Sequence, residues 1–377
     1  MKNLANLLVV FAIVFVVMGC CGKGVVNSHR KDCLSADGSQ IALTDIYGGI
    51  TLIDPQTGRI ITKKETEKDG RDISSGVALC TQHNDIFSVY PNVLVNLKDN
   101  RRIGHRVKGT VFDLVDKETL LTFTGGSASL DSDGDYGSSR PLELYLEKLG
   151  QETKDLKPII VSLDKFEGVK KDARQYWIKP LRLLDHENLL LIAGAFPRGY
   201  SRTPNETGLF PEPWGFYVFN LKTEQAKILG TIKEADAEIN FNGSPKVSLT
   251  KDGRLISLYT FLDAGNAMAV YDTKQDKEIF RKSIEDGEIS GTIFSNDETR
   301  VAVRVKYLRG EKKRVQYFVN IYDLKTGDLI KAVQLESDVG AFLDFRENEL
   351  ILSSHKKILK MNIDTESIIW ETVYFDK

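Results

Sequence analysis

Histidine is scarce in this chain. The five copies in 377 residues, His29, His83, His105, His186 and His355, share no neighbourhood in sequence. No HExxH helix can be built from them, and the chain also lacks a P-loop, a nucleophile elbow and a GxGxxG turn between strand and helix. The common local routes to metal-assisted hydrolysis, phosphoryl transfer and dinucleotide binding are therefore missing. Charge of one sign is missing too: 51 Lys and Arg stand against 53 Asp and Glu, a formal net charge of -2, so no global field favours nucleic acid or an anionic surface. Of four cysteines, Cys20 and Cys21 adjoin near the N-terminus, while Cys33 and Cys80 have no CxxC-type neighbour. Long apolar runs are confined to the first residues, and no later segment suits a membrane-spanning helix. What remains is 41% hydrophobic and 28% charged, the range of an ordinary folded chain.

The N-terminus reads MKNLANLLVVFAIVFVVMGCCGKG: Lys2, an apolar run over residues 4–18, small residues, then Cys20. The run is short for a span of about 20 residues but suits an export signal. Its end, Val17-Met18-Gly19-Cys20, resembles the lipobox of bacterial lipoproteins, with Met18 departing from the usual choice. The resemblance implies cleavage after residue 19, lipid and fatty acyl (palmitate-type) chains on Cys20, a linker over 20–31 and a folded domain over 32–377. It also implies a place in the cell envelope, on the outer membrane facing the periplasm if the source is Gram-negative. In such an oxidising compartment disulfides persist, yet aligning the stretches around Cys33 and Cys80 staggers them by two residues. The expectation is two free buried thiols.

Two phrases recur along the rest. One is LIDPQTGRII (52–61), with copies at 218–229, 270–280, 321–330 (IYDLKTGDLI) and 360–370. The other is LSADGSQIAL (34–43), with copies at 249–258 and 294–303 and weaker ones at 114–123, 183–192 and 343–352. Each is an apolar strand, a polar turn opened by Asp or Asn, and a second apolar strand, which is hairpin chemistry. Where Glu224 or Glu366 replaces the turn glycine, the turn either relaxes or carries a strain of about 1 kcal/mol. Alternating the two hairpins gives four-stranded units, a-b then c-d, and the a-b turns mark seven of them, the period of propeller blades.

The a-b phrase resembles the SPDG hairpin of WD-repeat-like propellers, and the c-d phrase the D..TG hairpin of quinoprotein-like ones. The resemblance spans about residues 32–375 and implies an all-β, seven-bladed β-propeller, with six or eight blades as alternatives and a β-sandwich pair or β-helix as competing folds. The tryptophan that closes a quinoprotein-like phrase occurs once, as Trp370. No sialidase-type Asp box is present, and the one vicinal cysteine pair, which a pyrroloquinoline quinone enzyme would need over its cofactor, belongs to the lipobox.

Antiparallel strands put the a-b and c-d turns on one face and the b-c connections on the other. The first are short. The second include 125–141, 197–215 and 306–316, and a third-to-fourth connection over 162–179 has room for a helical turn. Insertions of this length commonly carry function. In the first, Asp131, Asp133 and Asp135 alternate as Ca2+ ligands can, although the glycine is misplaced for an EF-hand and the twelfth-position Glu is absent, so a solvated acidic turn competes. In the second, Arg198, Tyr200, Arg202, Phe210 and Trp214 have the composition of an interface hot spot, with packing of the loop as the bland alternative. RGEKKR at 309–314 reads as a solvated basic face. The expectation is a membrane-tethered, non-enzymatic binding or scaffold module for an envelope protein or polymer, with no nucleic acid partner and no cofactor beyond Ca2+. A lyase, glycosidase or quinoprotein using the channel is the runner-up, and a small-ligand or Ca2+ sensor comes third.

Overall fold

One side chain opens nearly every tight turn. Asp54 accepts from the Gln56 and Thr57 amides at 2.8 and 3.4 Å, Asp323 from Lys325 and Thr326 at 2.8 and 2.9 Å, and Asn220 from Lys222 and Thr223 at 3.0 and 2.8 Å. In the a-b turns Asp37 accepts from the Ser35 hydroxyl and the Ser39 amide. The Ser35 hydroxyl chiefly, with Ser39, brings its pKa down to about 2. The turn's end needs positive φ, and Gly58 (71°) and Gly327 (73°) supply it in two c-d turns. Glu224 (54°) and Glu366 (57°) adopt it in two others, as expected from the missing glycine.

These turns link strands that the computed structural model describes over residues 32–374, apart from 45–49, 65–76, 82–85, 91–92, 97–101, 104–109, 127–140, 150–155, 163–164, 167–174, 197–214, 232–245, 260–266, 276, 286, 310–313, 336–340 and 355–356. Every described strand lies in a four-stranded antiparallel sheet of four strands consecutive in sequence. Sheet 1 holds β1 (Cys33–Leu34), β2 (Ile41–Thr44), β3 (Ile50–Ile53) and β4 (Ile60–Lys64); sheet 2 holds β5 (Val77–Cys80), β6 (Ile86–Tyr90), β7 (Val93–Asn96) and β8 (Arg102–Ile103). Sheet 3 holds β9 (Thr110–Leu114), β10 (Thr119–Thr124), β11 (Leu142–Lys148) and β12 (Ile159–Val161); sheet 4 holds β13 (Gln175–Leu183), β14 (Asn188–Phe196), β15 (Gly215–Asn220) and β16 (Gln225–Thr231). Sheet 5 holds β17 (Lys246–Leu249), β18 (Leu255–Tyr259), β19 (Ala267–Asp272) and β20 (Lys277–Ser283); sheet 6 holds β21 (Gly287–Phe294), β22 (Arg300–Arg309), β23 (Arg314–Asp323) and β24 (Leu329–Leu335). Sheet 7 holds β25 (Ala341–Arg346), β26 (Glu349–Ser353), β27 (Lys357–Asn362) and β28 (Ser367–Val373).

The expectation of seven blades needs correction at sheet 2. Six sheets have a described interior of packed side chains, whereas in sheet 2 only the backbone pairing and the side chain of Cys80 are described. Its last strand spans two residues, and its described side-chain contact with a neighbouring sheet is Cys80 against Ala42, Ile50 and Leu52 of sheet 1.

Apolar side chains fill the gaps between neighbouring sheets. Leu144, Leu191 and Tyr217 lie between sheets 3 and 4, Phe216, Ile256 and Tyr271 between 4 and 5, Val270, Val303 and Tyr322 between 5 and 6, Val319, Phe345 and Leu352 between 6 and 7, and Ile41, Ile53 and Ile351 between 7 and 1. The 162–179 connection contributes Phe166, buried edge-on against Tyr217 with centroids 4.6 Å apart. Among its described residues a turn is closed by the Lys165 amide on the Ser162 carbonyl; β13 already begins at Gln175.

The ring closes without exchanging a strand. Thr372 donates to the Gly58 carbonyl, Ser353 donates to Asp32 at 2.8 Å, and the Trp370 indole packs so closely on Gly58 that a Cβ there would lie 2.6 Å from it. Between sheets 1 and 2 the staple is covalent. Cys33 and Cys80 form a disulfide with Cα atoms 5.8 Å apart, which overturns the expectation of free thiols. Innermost strands of adjacent sheets share no hydrogen-bonded register, so a stagger counted along the phrases does not fix their relative height.

Candidate functional site: the central channel and the loop face

The first strands of all the sheets surround a cavity of about 710 Å³ at the short-turn end of the ring. Bulges shape its wall. In β9, β13 and β25 one extra residue, Phe112, Leu181 or Leu343, breaks the register with the next strand. A bulge re-aims the side chains beside it. The residue after each is ionisable, and Asp113, Arg182 and Asp344 all line the cavity.

Each ionisable group described there is engaged by the scaffold. Arg182 donates to the Thr250 carbonyl of sheet 5 at 3.1 Å; burial lowers its pKa, opposed by the charges of Asp113 and Asp252. Asp344 lies 2.6 Å from the Arg346 guanidinium, and Glu298 pairs with Arg254, which also meets Asp272 at 2.6 Å. The hydrogen bond that Arg254 donates to Glu298, ahead of the charge of Asp272, raises the Arg254 pKa. Lys251 of sheet 5 reaches over the mouth to the Ala36 carbonyl of sheet 1, 3.4 Å away. Arg182 to Thr250, Arg254 to Glu298 and Lys251 to Ala36 tie one sheet to another, whereas Asp344 with Arg346 and Arg254 with Asp272 pair within a sheet.

The same ties continue over the short-turn face. His186 Nδ1 donates to the Val115 carbonyl at 2.5 Å, and Arg300 donates to Asn348 at 2.9 Å and to the Glu347 carbonyl. Lys331 lies 3.1 Å from Glu366, and Lys165 2.7 Å from Glu224. His186, expected in a plain-face turn, is there, and it serves packing.

On the opposite face the b-c connections differ greatly in length. Those of sheets 3 and 4, residues 125–141 and 197–214, are long and adjacent, whereas those of sheets 2 and 7 are 91–92 and 354–356. The expected 306–316 insertion is corrected. β22 runs to Arg309 and β23 restarts at Arg314, paired Arg309 to Arg314, so alternation continues through most of that stretch and the connection is only 310–313. The remaining candidates, Asp131, Asp133, Asp135, Arg198, Tyr200, Arg202, Phe210, Trp214 and Cys20, lie outside the described residues. Among the described residues no cluster of three or more metal-ligating side chains occurs, and no helix is long and apolar enough to cross a membrane. Sequence reasoning missed Asp113, Arg182 and Asp344; their signal is an ionisable residue just before the a-b turn.

No family model matches the chain, and no curated protein is similar to it in sequence. Solved structures do resemble it. The Cps50 (Swd1) β-propeller domain of Myceliophteria thermophila superposes with a TM-score of 0.52 at 13% identity, covering 89% of this chain and 94% of that one. Hsv2 of Kluyvelomyces marxianus gives 0.51 at 12% identity over 91% and 97%, and KlAtg21, solved with the coiled coil of AgAtg16, gives 0.53 at 11% over 91% and 98%. This chain has a WD40-like β-propeller fold. At such identities the likeness is one of fold alone.

Proposed function

We propose that the protein is a non-enzymatic binding or scaffold module of the cell envelope, tethered by lipid on Cys20, whose partner docks on the loop face of sheets 3 and 4. The observation that carries this reading is the placing of its two long b-c connections. They are neighbours on one face of a ring whose described channel charges are paired or hydrogen-bonded within the scaffold. A rigid scaffold presenting adjacent long loops is the arrangement of a recognition surface. Arg198, Tyr200, Arg202, Phe210 and Trp214 supply the anchors, and Asp131, Asp133 and Asp135 a Ca2+ site beside them. That KlAtg21 was solved with a coiled coil supports protein binding as a class for this fold; the partner here is an envelope protein or polymer.

The test is a photo-crosslinking residue at Trp214 in intact cells, with the product identified by mass spectrometry. One reproducible envelope partner, lost when 197–214 is replaced by a short turn, is the expected outcome. Capture of nothing beyond background sinks the reading.

A further inference from the structure

The large apolar side chains that stand exposed among the described residues are not spread around the ring: they all lie on sheets 6, 7 and 1. Six come as consecutive pairs at the start of the outermost strand: Leu329 and Ile330 on β24, Ile368 and Ile369 on β28, Ile60 and Ile61 on β4, each between 45% and 53% exposed. The repeat has a structural cause. In each of these strands the register skips one residue, Ile330, Ile369 or Ile61, and such a bulge breaks the alternation that would turn one member of the pair inward. The corresponding bulge residues of sheets 4 and 5, Leu229 and Ile279, are half-buried. Val373 extends the strip along β28. Sheets 6, 7 and 1 are consecutive across the ring closure, so the pairs make one arc on the rim, opposite sheets 3 and 4.

Contiguous exposed apolar surface of this kind marks a contact site. Two observations choose the occupant. First, the three outer strands carry a single carboxylate, Glu371, held 2.8 Å from Lys357, against Lys63, exposed on β4, and Lys331, which also meets Glu366 of the adjoining turn at 3.1 Å. Aliphatic side chains among lysines suit the headgroup region of an anionic bilayer. Second, the chain joins the ring at β1, in sheet 1, directly after residues 20–31. Fully extended, those twelve residues reach about 40 Å, and β4 lies only about 14 Å across sheet 1 from β1 at ordinary strand spacing. A lipid on Cys20 therefore has this arc within reach.

We infer that the rim of sheets 6, 7 and 1 rests on the bilayer, so that the ring stands edge-on with the long loops of sheets 3 and 4 pointing away from the lipid. The inference rests on the lipid-anchor reading, which the test separates. Full-length lipidated protein is reconstituted into vesicles of phosphatidylethanolamine and phosphatidylglycerol, with a photo-crosslinking residue at Ile61, Ile330 or Ile369, or at Lys227, exposed on the outer strand of sheet 4. Lipid adducts several-fold more abundant at the three rim positions than at Lys227 are expected. Equal yields overturn the orientation, as do rim adducts to a second copy of the chain. Retention of the protein on vesicles through alkaline washing is scored separately. Protein that is retained but shows no rim preference keeps the anchor and loses the docking surface. Protein that is not retained, yet whose rim still labels added vesicles, loses the anchor and keeps the surface. The four substituted positions are solvent-exposed, so the substitutions leave folding intact, checked by unchanged thermal melting.

Discussion

Sheets 3 and 4 and the trio of sheets 7, 1 and 2 are built from the same two hairpins, yet they invest their residues differently. Sheets 3 and 4 place length in connections, 125–141 and 197–214, above a core whose packing is ordinary, with Leu144, Leu191 and Tyr217 buried between them. The closure side places specific contacts in the scaffold: a disulfide between sheets 1 and 2, and Trp370 on Gly58 with Thr372 and Ser353 reaching across between sheets 7 and 1. A ring that closes without an exchanged strand has to be latched where its ends meet, because no hydrogen-bonded ladder joins first and last sheet. Loops on the far side are free of that duty, and loop closure entropy rises only slowly with length. The difference separates a region whose changes alter binding from one whose changes alter stability.

The largest effect that would sharpen this division is on binding. Replacing 197–214 by a four-residue turn is expected to abolish crosslinking to the partner while changing unfolding free energy by only about 1 kcal/mol, the closure entropy of the shorter loop. A large fall in stability would show that Phe210 and Trp214 belong to the core, and an unchanged partner set would remove the loop from the interface.

On the closure side the expected change is in stability. Cys33→Ala with Cys80→Ala opens a cross-link of sequence separation 47, for which chain entropy predicts a loss of about 4 kcal/mol, read from urea titration with and without reductant. If the reduced wild type and the double variant unfold like the oxidised protein, the staple carries no stability. Gly58→Ala comes next. Its φ of 71° disfavours a side chain, and the new Cβ would sit 2.6 Å from the Trp370 ring, so roughly 2–3 kcal/mol is expected from left-handed strain and overpacking together. Gly327→Ala, at the same turn position in sheet 6 but with 3.3 Å to the nearest atom, should lose about half as much, mainly the strain. Equal losses would mean that the Trp370 latch adds nothing.

What could be read in the sequence follows from how local each cause is. The turns were legible because Asp54 and Asp323 bond amides two and three residues away, and the positive φ of Glu224 and Glu366 followed from the glycine they replace. The strand count per sheet was legible for the same reason. Height along the channel was not. Cys33 and Cys80 sit on strands that never share a ladder, and no phrase alignment measures their separation. Nor did the pattern announce the bulges: Leu181 and Leu343 sit in runs that look like plain alternation, so the channel positions of Arg182 and Asp344 were missed. KYLR (306–309) and RVQ (314–316) were counted as loop because a basic turn lies between them, although they continue the hairpin. The exposed pairs of sheets 6, 7 and 1 looked like the apolar second strand of each phrase, and only the bulge brings both members to the surface.

The smallest expected effect compares two glutamates held at positive φ on opposite sides of the ring. Glu224 in sheet 4 (54°) pairs with Lys165 at 2.7 Å, and Glu347 in sheet 7 (46°) links to Arg300 through its backbone carbonyl. Glycine relieves left-handed strain of about 1–2 kcal/mol but loosens the unfolded chain by about 0.4–1 kcal/mol. At Glu347 the carbonyl contact survives the change, so Glu347→Gly should stabilise by about 0.5 kcal/mol. At Glu224 the ion pair is lost, a partly exposed interaction of up to about 1 kcal/mol, so Glu224→Gly should be neutral or slightly destabilising. Chemical denaturation of the two single variants and the double resolves the sign. Stabilisation at both positions would mean that the Lys165 pair contributes nothing to holding the third-to-fourth connection, and that on the loop side, as at the closure, backbone conformation outweighs surface charge.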